Sequence, residues 1–167
     1  VSSLHLIEED IYFDIIWHSW QQGGENGGGF SYTRVPVDQN FNQIGDWLEY
    51  YVMGEDTLNV LFEKENYANY NDPENWDIIN DSIAITRQNE QGLYNPYTDS
   101  NWDGDGPDGT EWAWGSTAEV MANGGIGIDG DGYTSNMRDF QREGPNNDCC
   151  NTQYYLSNAN PNNVSSL

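Results

Sequence analysis

Residues 99–111 carry oxygen-bearing side chains at short intervals along a glycine-rich stretch of the chain. A hard cation such as Ca²⁺ is bound by about six to eight oxygen atoms, some of them from carboxylates. Gly104, Gly106 and Gly109 allow the tight backbone coiling that turns so many short side chains toward one point. We therefore predict a calcium-binding loop, with Ca²⁺ as the cofactor. Its candidate ligands are Asp99, Asn101, Asp103, Asp105, Asp108 and Glu111.

This stretch resembles the calcium loops of EF-hands and of thrombospondin type 3 repeats. The likeness covers the first six positions, and Gly104 stands where an EF-hand has its turn glycine. It then departs, because Thr110 replaces the bidentate glutamate and Glu111 comes one residue late. No helical pattern flanks the loop, so the helix–loop–helix fold is not expected. The alternative interpretation is an acidic turn that binds no ion specifically.

A second glycine-rich acidic loop spans 124–132 and carries Asp129 and Asp131 on either side of Gly130. Two carboxylates alone do not fill a calcium coordination shell. The pair is therefore interpreted in three ways: as part of a second cation site, as additional ligands for the first site, or as a plain turn.

Three tryptophans are candidates for ligand binding. Trp112 and Trp114 are two residues apart, so a strand presents both on one side. Such an aromatic pair can stack against the apolar face of a sugar. The alternative is that both pack in the core, since tryptophan is highly buried on average. Trp102 lies inside the acidic loop and is expected to be the more exposed.

The sequence offers no constellation that predicts an enzyme. His5 and His18 are the only histidines, and no cluster of His and Cys has zinc-site spacing. Carboxylate pairs suited to a glycosidase are uninformative among 28 acidic residues. In so acidic a chain, Arg34 and Arg87 are each expected to pair with carboxylates as bidentate forks.

Composition limits the classes of partner. The 167 residues carry a formal net charge of −23, with 28 acidic side chains against five basic ones, which excludes nucleic acid and anionic lipid as partners. An aromatic content of 14 % argues against disorder. No run of about 18 apolar residues is present, so membrane insertion is not expected. The chain begins at Val1, which suggests a processed protein or a piece of a longer one.

The cysteines and the chain ends add two expectations. Cys149 and Cys150 are adjacent, and they are interpreted as a vicinal disulfide, as bonds to other partners or as free thiols. Oxidation is expected if the chain is extracellular. The tetrapeptide at 1–4 recurs at 164–167, an offset of 163 residues (164 − 1), which fits either coincidence or one unit of a tandem array.

Short alternating segments separated by Gly, Asn and Asp turns predict an all-β domain over residues 1–167. Segments 10–20 and 30–37 are expected to pair as a hairpin. Ser116 and Glu119 have capping-box spacing, which fits one short helix over 116–122, and a further strand over the same residues fits the sequence equally well. The architecture expected is an antiparallel β-sandwich with jelly-roll or Greek-key order and long loops. The further predicted strands are 47–53, 57–63, 82–87, 111–114, 133–140 and 152–156.

These features favour an extracellular, calcium-binding structural or adhesive domain. It would be a subunit or repeat of a surface filament, sheath or adhesin, with copies of itself or neighbouring repeats as partners. The alternative is a calcium-dependent carbohydrate-binding module that recognises glycans. A polysaccharide-active enzyme is the third and weakest hypothesis.

Overall fold

The computed structural model describes residues 1–21, 27–38, 40–41 and 59–136, and in these ranges the chain is mostly β. Eight strands form two antiparallel sheets, so the all-β prediction is confirmed there. The strands are β1 Ser2–Leu6, β2 Ile11–Trp20, β3 Phe30–Pro36, β4 Val60–Lys64, β5 Asp77–Ile78, β6 Ala84–Arg87, β7 Leu93–Tyr94 and β8 Thr110–Trp114. One sheet has the order β4-β3-β2-β1-β8 and the other β5-β6-β7.

The β2–β3 hairpin forms as the alternating sequence predicts. Phe13, Ile15 and Trp17 of β2 lie on the core face, and Trp17 pairs with Tyr32 of β3. The register of this pair shifts between Trp17 and Ser19, as it does at a β-bulge. Local hydrophobic alternation was sufficient to predict this hairpin, because β2 is long and has a well-defined apolar face.

Strand β1 was not predicted from the sequence, yet it lies inside the larger sheet. It pairs antiparallel with β2 along one side and with β8 along the other. Leu4 and Leu6 are buried on the core face, while the two serines of the strand give it little intrinsic strand preference. Pairing with β2 and β8 therefore stabilises the extended conformation of β1. The five residues of β1 do not predict that pairing, because it depends on distant segments of the chain.

The hydrophobic core takes side chains from both sheets. Ile85 and Leu93 of the smaller sheet join the same buried cluster as the aromatic residues of the larger sheet. Most of those aromatic residues contact one another edge-on or tilted, with ring centroids 5.3 Å apart for Trp17 and Tyr32, while Trp17 and Trp112 are stacked. The remaining members of the cluster include Leu4, Leu6, Phe13, Ile15, Trp20, Phe30, Phe62, Ile83, Trp112 and Trp114.

The short helix α1, Thr117–Ala122, is confirmed together with its capping box. The Ser116 side chain accepts a hydrogen bond from the Glu119 amide, and the Glu119 side chain accepts one from the Ser116 amide. The helix N-terminus is fastened to β2, since the Thr117 amide and hydroxyl both donate to buried Asp14. The Ser3 hydroxyl continues this network to Thr117 and to Tyr133.

Several predictions concern residues outside the described ranges. They are the strands at 47–53 and 152–156, the first part of 57–63, the last part of 133–140, the Cys149 and Cys150 pair, and the tetrapeptide at 164–167. Residues 133–136 are described, and Thr134 forms an isolated bridge with Trp112 there.

Candidate functional site

The acidic loop connects β7 to β8, and a buried asparagine fixes both of its ends. Asn95 is 1 % exposed, and its side-chain oxygen accepts hydrogen bonds from the amides of Ala84 and Tyr97, both at 3.2 Å. Its side-chain nitrogen donates to the carbonyls of Ser82 at 2.9 Å and Asp108 at 3.1 Å. Two donors and two acceptor positions are thus satisfied, as a buried amide requires. Sequence reasoning missed this residue.

Asp99 closes the loop through backbone amides. Its Oδ2 accepts hydrogen bonds from the amide of Asn95 at 2.8 Å and from the amide of Asp108 at 3.2 Å. Asp99 was predicted as a metal ligand, and in this arrangement one of its oxygens already binds the backbone.

The tip of the loop presents its oxygen-bearing side chains to solvent. Asn101, Asp103, Asp105 and Asp108 are all exposed. The Asp103 side chain accepts a hydrogen bond from the amide of Asp105 at 3.0 Å, which forms a local turn. Gly104 between them has a φ of 121°, a conformation that side chains rarely adopt. The tip is therefore a glycine-dependent turn between two fixed ends.

Glu111, the sixth candidate, lies on β8 beside a different group of residues. Its Oε2 is 3.5 Å from Nδ1 of His5, which lies opposite it on β1. The other ring nitrogen of His5 is 3.1 Å from an oxygen of Asp10, and the ring stacks on Tyr12 with centroids 4.3 Å apart. Glu111 is thus directed to a histidine held between two carboxylates.

Asp129 and Asp131 are attached to the opposite end of β8. The amide of Ile128 donates to the carbonyl of Trp114, and the Asp131 amide donates to Asp129 at 3.3 Å. Since β8 rises about 3.3 Å per residue, its two ends are separated by roughly 13 Å. Burial raises the pKa of Asp129. The structure therefore does not bring this pair together with the 99–108 loop.

Within the described residues, no three or more His, Cys, Asp or Glu side chains are grouped so as to hold a metal ion. Binding by the candidate ligands would therefore need the exposed side chains of the tip to converge. Calcium binding stays a prediction.

The tryptophans fall into two environments. Trp112 is 0 % exposed and Trp114 is 4 % exposed, so the structure places both in the core, as the packing alternative expects. Trp112 stacks on Trp17 with centroids 6.2 Å apart. Trp102 is half-buried and packs against Gly92, where an added Cβ would lie 2.6 Å from its indole nitrogen.

A partly exposed aromatic pair that the sequence did not identify lies at the start of the loop. Tyr97 is 44 % exposed and meets Trp76 edge-on, with ring centroids 5.7 Å apart. Trp76 is held by a hydrogen bond from its indole nitrogen to the carbonyl of Tyr70 at 2.7 Å. The two rings come from segments about 20 residues apart, so only the fold reveals them as a pair.

The prediction for the first arginine is confirmed. Arg34 donates from Nε and Nη2 to the two oxygens of Asp77, each at 3.0 Å, and both residues are buried. Tyr32 donates to the same carboxylate at 2.7 Å. This bidentate pair connects β3 of the larger sheet to β5 of the smaller one.

The prediction for the second arginine is wrong. Among the described residues, no carboxylate lies within ion-pair distance of Arg87. Its guanidinium instead donates to the carbonyls of Gln21 and Gln91 and lies 3.9 Å above the ring of Trp20. Burial lowers the pKa of Arg87 to about 10. Carbonyl dipoles and an aromatic face replace the expected carboxylate.

Comparison with known proteins identifies no match for this chain among protein-family models, curated proteins or solved structures. Within the described ranges, no helix has both the length and the apolar character needed to cross a membrane.

Proposed function

We propose that the chain is an extracellular structural or adhesive domain whose two sheets pack as a β-sandwich and whose acidic loop is stabilised by calcium. One observation carries the proposal. The loop is fixed at both ends by Asn95 and Asp99, while Asn101, Asp103 and Asp105 are exposed at its tip. A hard cation prefers such oxygen ligands, and the formal net charge of −23 attracts cations in general.

The fixed ends make calcium binding less costly than in an unconstrained chain. Closing a loop on a ligand costs conformational entropy, and part of that cost is already met by the hydrogen bonds of Asn95 and Asp99. The carboxylates of the tip repel one another by about 1 kcal/mol for a pair at about 4 Å in water. A divalent cation replaces that repulsion by attraction, so calcium should stabilise the folded chain.

Thermal unfolding with and without chelator tests this proposal. We expect saturating calcium to add about 2.7 kcal/mol at 100 times the dissociation constant, or a Tm increase of roughly 5–10 °C over EDTA. The double variant Asp103→Asn/Asp105→Asn should lose this increase. The matched variant Asp129→Asn/Asp131→Asn removes the same amount of charge from the other loop and should keep the Tm increase. Equal midpoints for the wild-type chain in calcium and in EDTA would remove calcium from the proposal.

Repetition in a filament, sheath or adhesin is part of the same proposal. The support is the recurrence of the tetrapeptide at 1–4 and 164–167, together with the acidity of the chain, which calcium would neutralise between copies. Sedimentation velocity in calcium and in EDTA measures this association directly. A chain that stays monomeric in both solutions, at concentrations up to the millimolar range, would count against it.

A carbohydrate-binding module is the second candidate, and the exposed Tyr97 edge-on to Trp76 is the observation that favours it. An exposed aromatic face beside a polar loop suits stacking against a sugar ring. Trp102 on the same loop is the remaining sequence candidate with partial exposure. A glycan array run with the wild-type chain and with Tyr97→Ala distinguishes this function, since binding must be lost in the variant.

A further inference from the structure

Tyr67 has a backbone conformation that a bulky side chain disfavours. Within the described ranges, the non-glycine residues with a positive φ are Asp10, Phe41 and Tyr67. Aspartate adopts this left-handed conformation more readily than most residues, whereas a bulky residue there is an outlier. Phe41 is half-buried, and its ring packs edge-on against Tyr12. Of the two aromatic residues, Tyr67 is the exposed one, at 63 %, with a φ of 61°.

A turn imposes this conformation on Tyr67. The amide of Ala68 donates to the carbonyl of Glu65 at 3.3 Å, so Tyr67 is the third residue of a four-residue turn. A positive φ at that position normally selects glycine or asparagine. The chain has a large aromatic residue there instead, at a cost in backbone strain. Because such strain is concentrated at functional sites, the exposed ring is a candidate for contact with a ligand.

The Tyr67 ring is held in place despite its exposure. The Tyr67 amide donates to the carbonyl of Gly27 at 2.9 Å. A Cβ on Gly27 would lie 2.7 Å from Cδ2 of the ring, so the ring packs directly against the glycine backbone. A Cβ on Gly28 would collide with the carbonyl oxygen of Gln88, so the glycine segment is itself confined. A ring fixed in this way loses little conformational freedom when it binds a ligand.

Hydrogen-bonding groups lie next to this turn. An open depression of about 340 Å³ includes in its lining the polar residues Ser19, Gln21, Glu63, Glu65 and Asn66. Glu65 and Asn66 belong to the turn itself, and the volume is enough for one sugar ring. Amide and carboxylate groups are suitable partners for hydroxyl groups. The exposed carboxylates of Glu63 and Glu65 also repel an anionic ligand.

We propose that Tyr67 is an aromatic platform for a neutral sugar, and that the polar residues of the adjoining depression bind the hydroxyls of that sugar. A pyranose has an apolar face that can pack on an aromatic ring, and its hydroxyls need hydrogen-bond partners. The assignment rests on the carbohydrate-binding alternative above, but its residues differ from Tyr97 and Trp76. None of them belongs to the acidic loop, so binding at Tyr67 should not require calcium.

Isothermal titration of the full chain in EDTA tests the proposal. The ligands are the neutral oligosaccharides cellohexaose, mannohexaose and xylohexaose and the acidic hexagalacturonate. We expect at least one neutral oligosaccharide to bind, and hexagalacturonate to bind at least about tenfold more weakly, because Glu63 and Glu65 repel its carboxylates. No binding of any neutral oligosaccharide at millimolar concentration, or equal or tighter binding of hexagalacturonate, would overturn the assignment.

Variants at Tyr67 separate ligand contact from a structural role. Glycine suits a positive φ, so Tyr67→Gly should change the Tm by less than roughly 4 °C, while affinity for the neutral oligosaccharide should fall about tenfold or more. Tyr67→Asn repeats this test with a second residue that tolerates the left-handed conformation. Tyr67→Phe keeps the ring and should keep the affinity within about threefold. Affinity retained in Tyr67→Gly would refute the platform.

Two further results locate the binding. Amide chemical-shift mapping of the wild-type chain avoids any folding defect of the variants. Shifts concentrated at Gly29, Asn66 and Ala68 support the site, and shifts confined to other regions refute it. Binding that is lost in Tyr97→Ala but kept in Tyr67→Gly would show that the chain binds carbohydrate and that the Tyr67 assignment alone fails.

Discussion

Replacing the buried asparagine at the base of the acidic loop is the sharpest perturbation of the fold around the candidate site. Asn95→Ala removes four side-chain hydrogen bonds, three to residues 82–84 and Asp108 and one to the amide of Tyr97. Each such bond contributes about 1 kcal/mol net, and some of the released groups reach water, so we expect a loss of about 2–4 kcal/mol. This corresponds to a Tm decrease of roughly 5–15 °C for a domain of this size.

Urea unfolding in EDTA, followed by tryptophan fluorescence, measures this loss without any contribution from calcium. Asn95→Asp provides a second test of this role, because it places an oxygen where the side-chain nitrogen of Asn95 donates to two carbonyls. It should therefore be less stable than Asn95→Ala at pH 7. Asn101→Ala, at an exposed position of the same loop, should change stability by less than about 0.5 kcal/mol. A loss below about 0.5 kcal/mol for Asn95→Ala would refute the assigned role.

Two further predictions concern the ion pair and the alkaline behaviour of the fold. Asp77→Asn leaves Arg34 buried without its counter-charge and should cost about 3–5 kcal/mol in urea unfolding, whereas exposed Asp81→Asn should be nearly neutral. Burial raises the pKa of Tyr133 from 10.0 to about 12, so its contribution is complete below pH 10 and is lost as pH rises toward 12. Urea midpoints between pH 9 and pH 11.5 should therefore fall less steeply for Tyr133→Phe than for the wild-type chain, and parallel curves would contradict this.

Local patterns in the sequence predicted those elements whose determinants are local. The alternation along Ile11–Trp20 gave both faces of β2, and the spacing of Ser116 and Glu119 gave α1 with its cap. In these cases the residues that determine the conformation lie within one strand or one helical turn. The mostly β character of the chain followed from the same reasoning.

Features that depend on contacts between distant segments were not predictable in this way. Strand β1 is stabilised by two neighbours, and Arg87 is bound by carbonyls from Gln21 and Gln91 in place of the expected carboxylate. The acidic composition of the chain predicted a carboxylate partner for Arg87, but its guanidinium packs on the aromatic face of Trp20.

The acidic loop has features that the sequence predicted and others that it did not. Its spacing of oxygen-bearing side chains identified a segment whose tip is indeed exposed and glycine-dependent. The spacing did not show that Asp99 binds two backbone amides, or that Asn95 holds the ends together. Backbone amides compete with a metal for the same carboxylate oxygens, and only the fold reveals which carboxylates they engage.

Isothermal titration of the wild-type chain with calcium tests the central claim most directly. We predict saturable binding that is lost in Asp103→Asn/Asp105→Asn and kept in Asp129→Asn/Asp131→Asn, because the first pair lies at the tip of the fixed loop and the second at the far end of β8. No saturable heat from the wild-type chain, or equal heat from the wild-type chain and the Asp103→Asn/Asp105→Asn variant, would contradict the calcium-stabilised domain proposed for this protein.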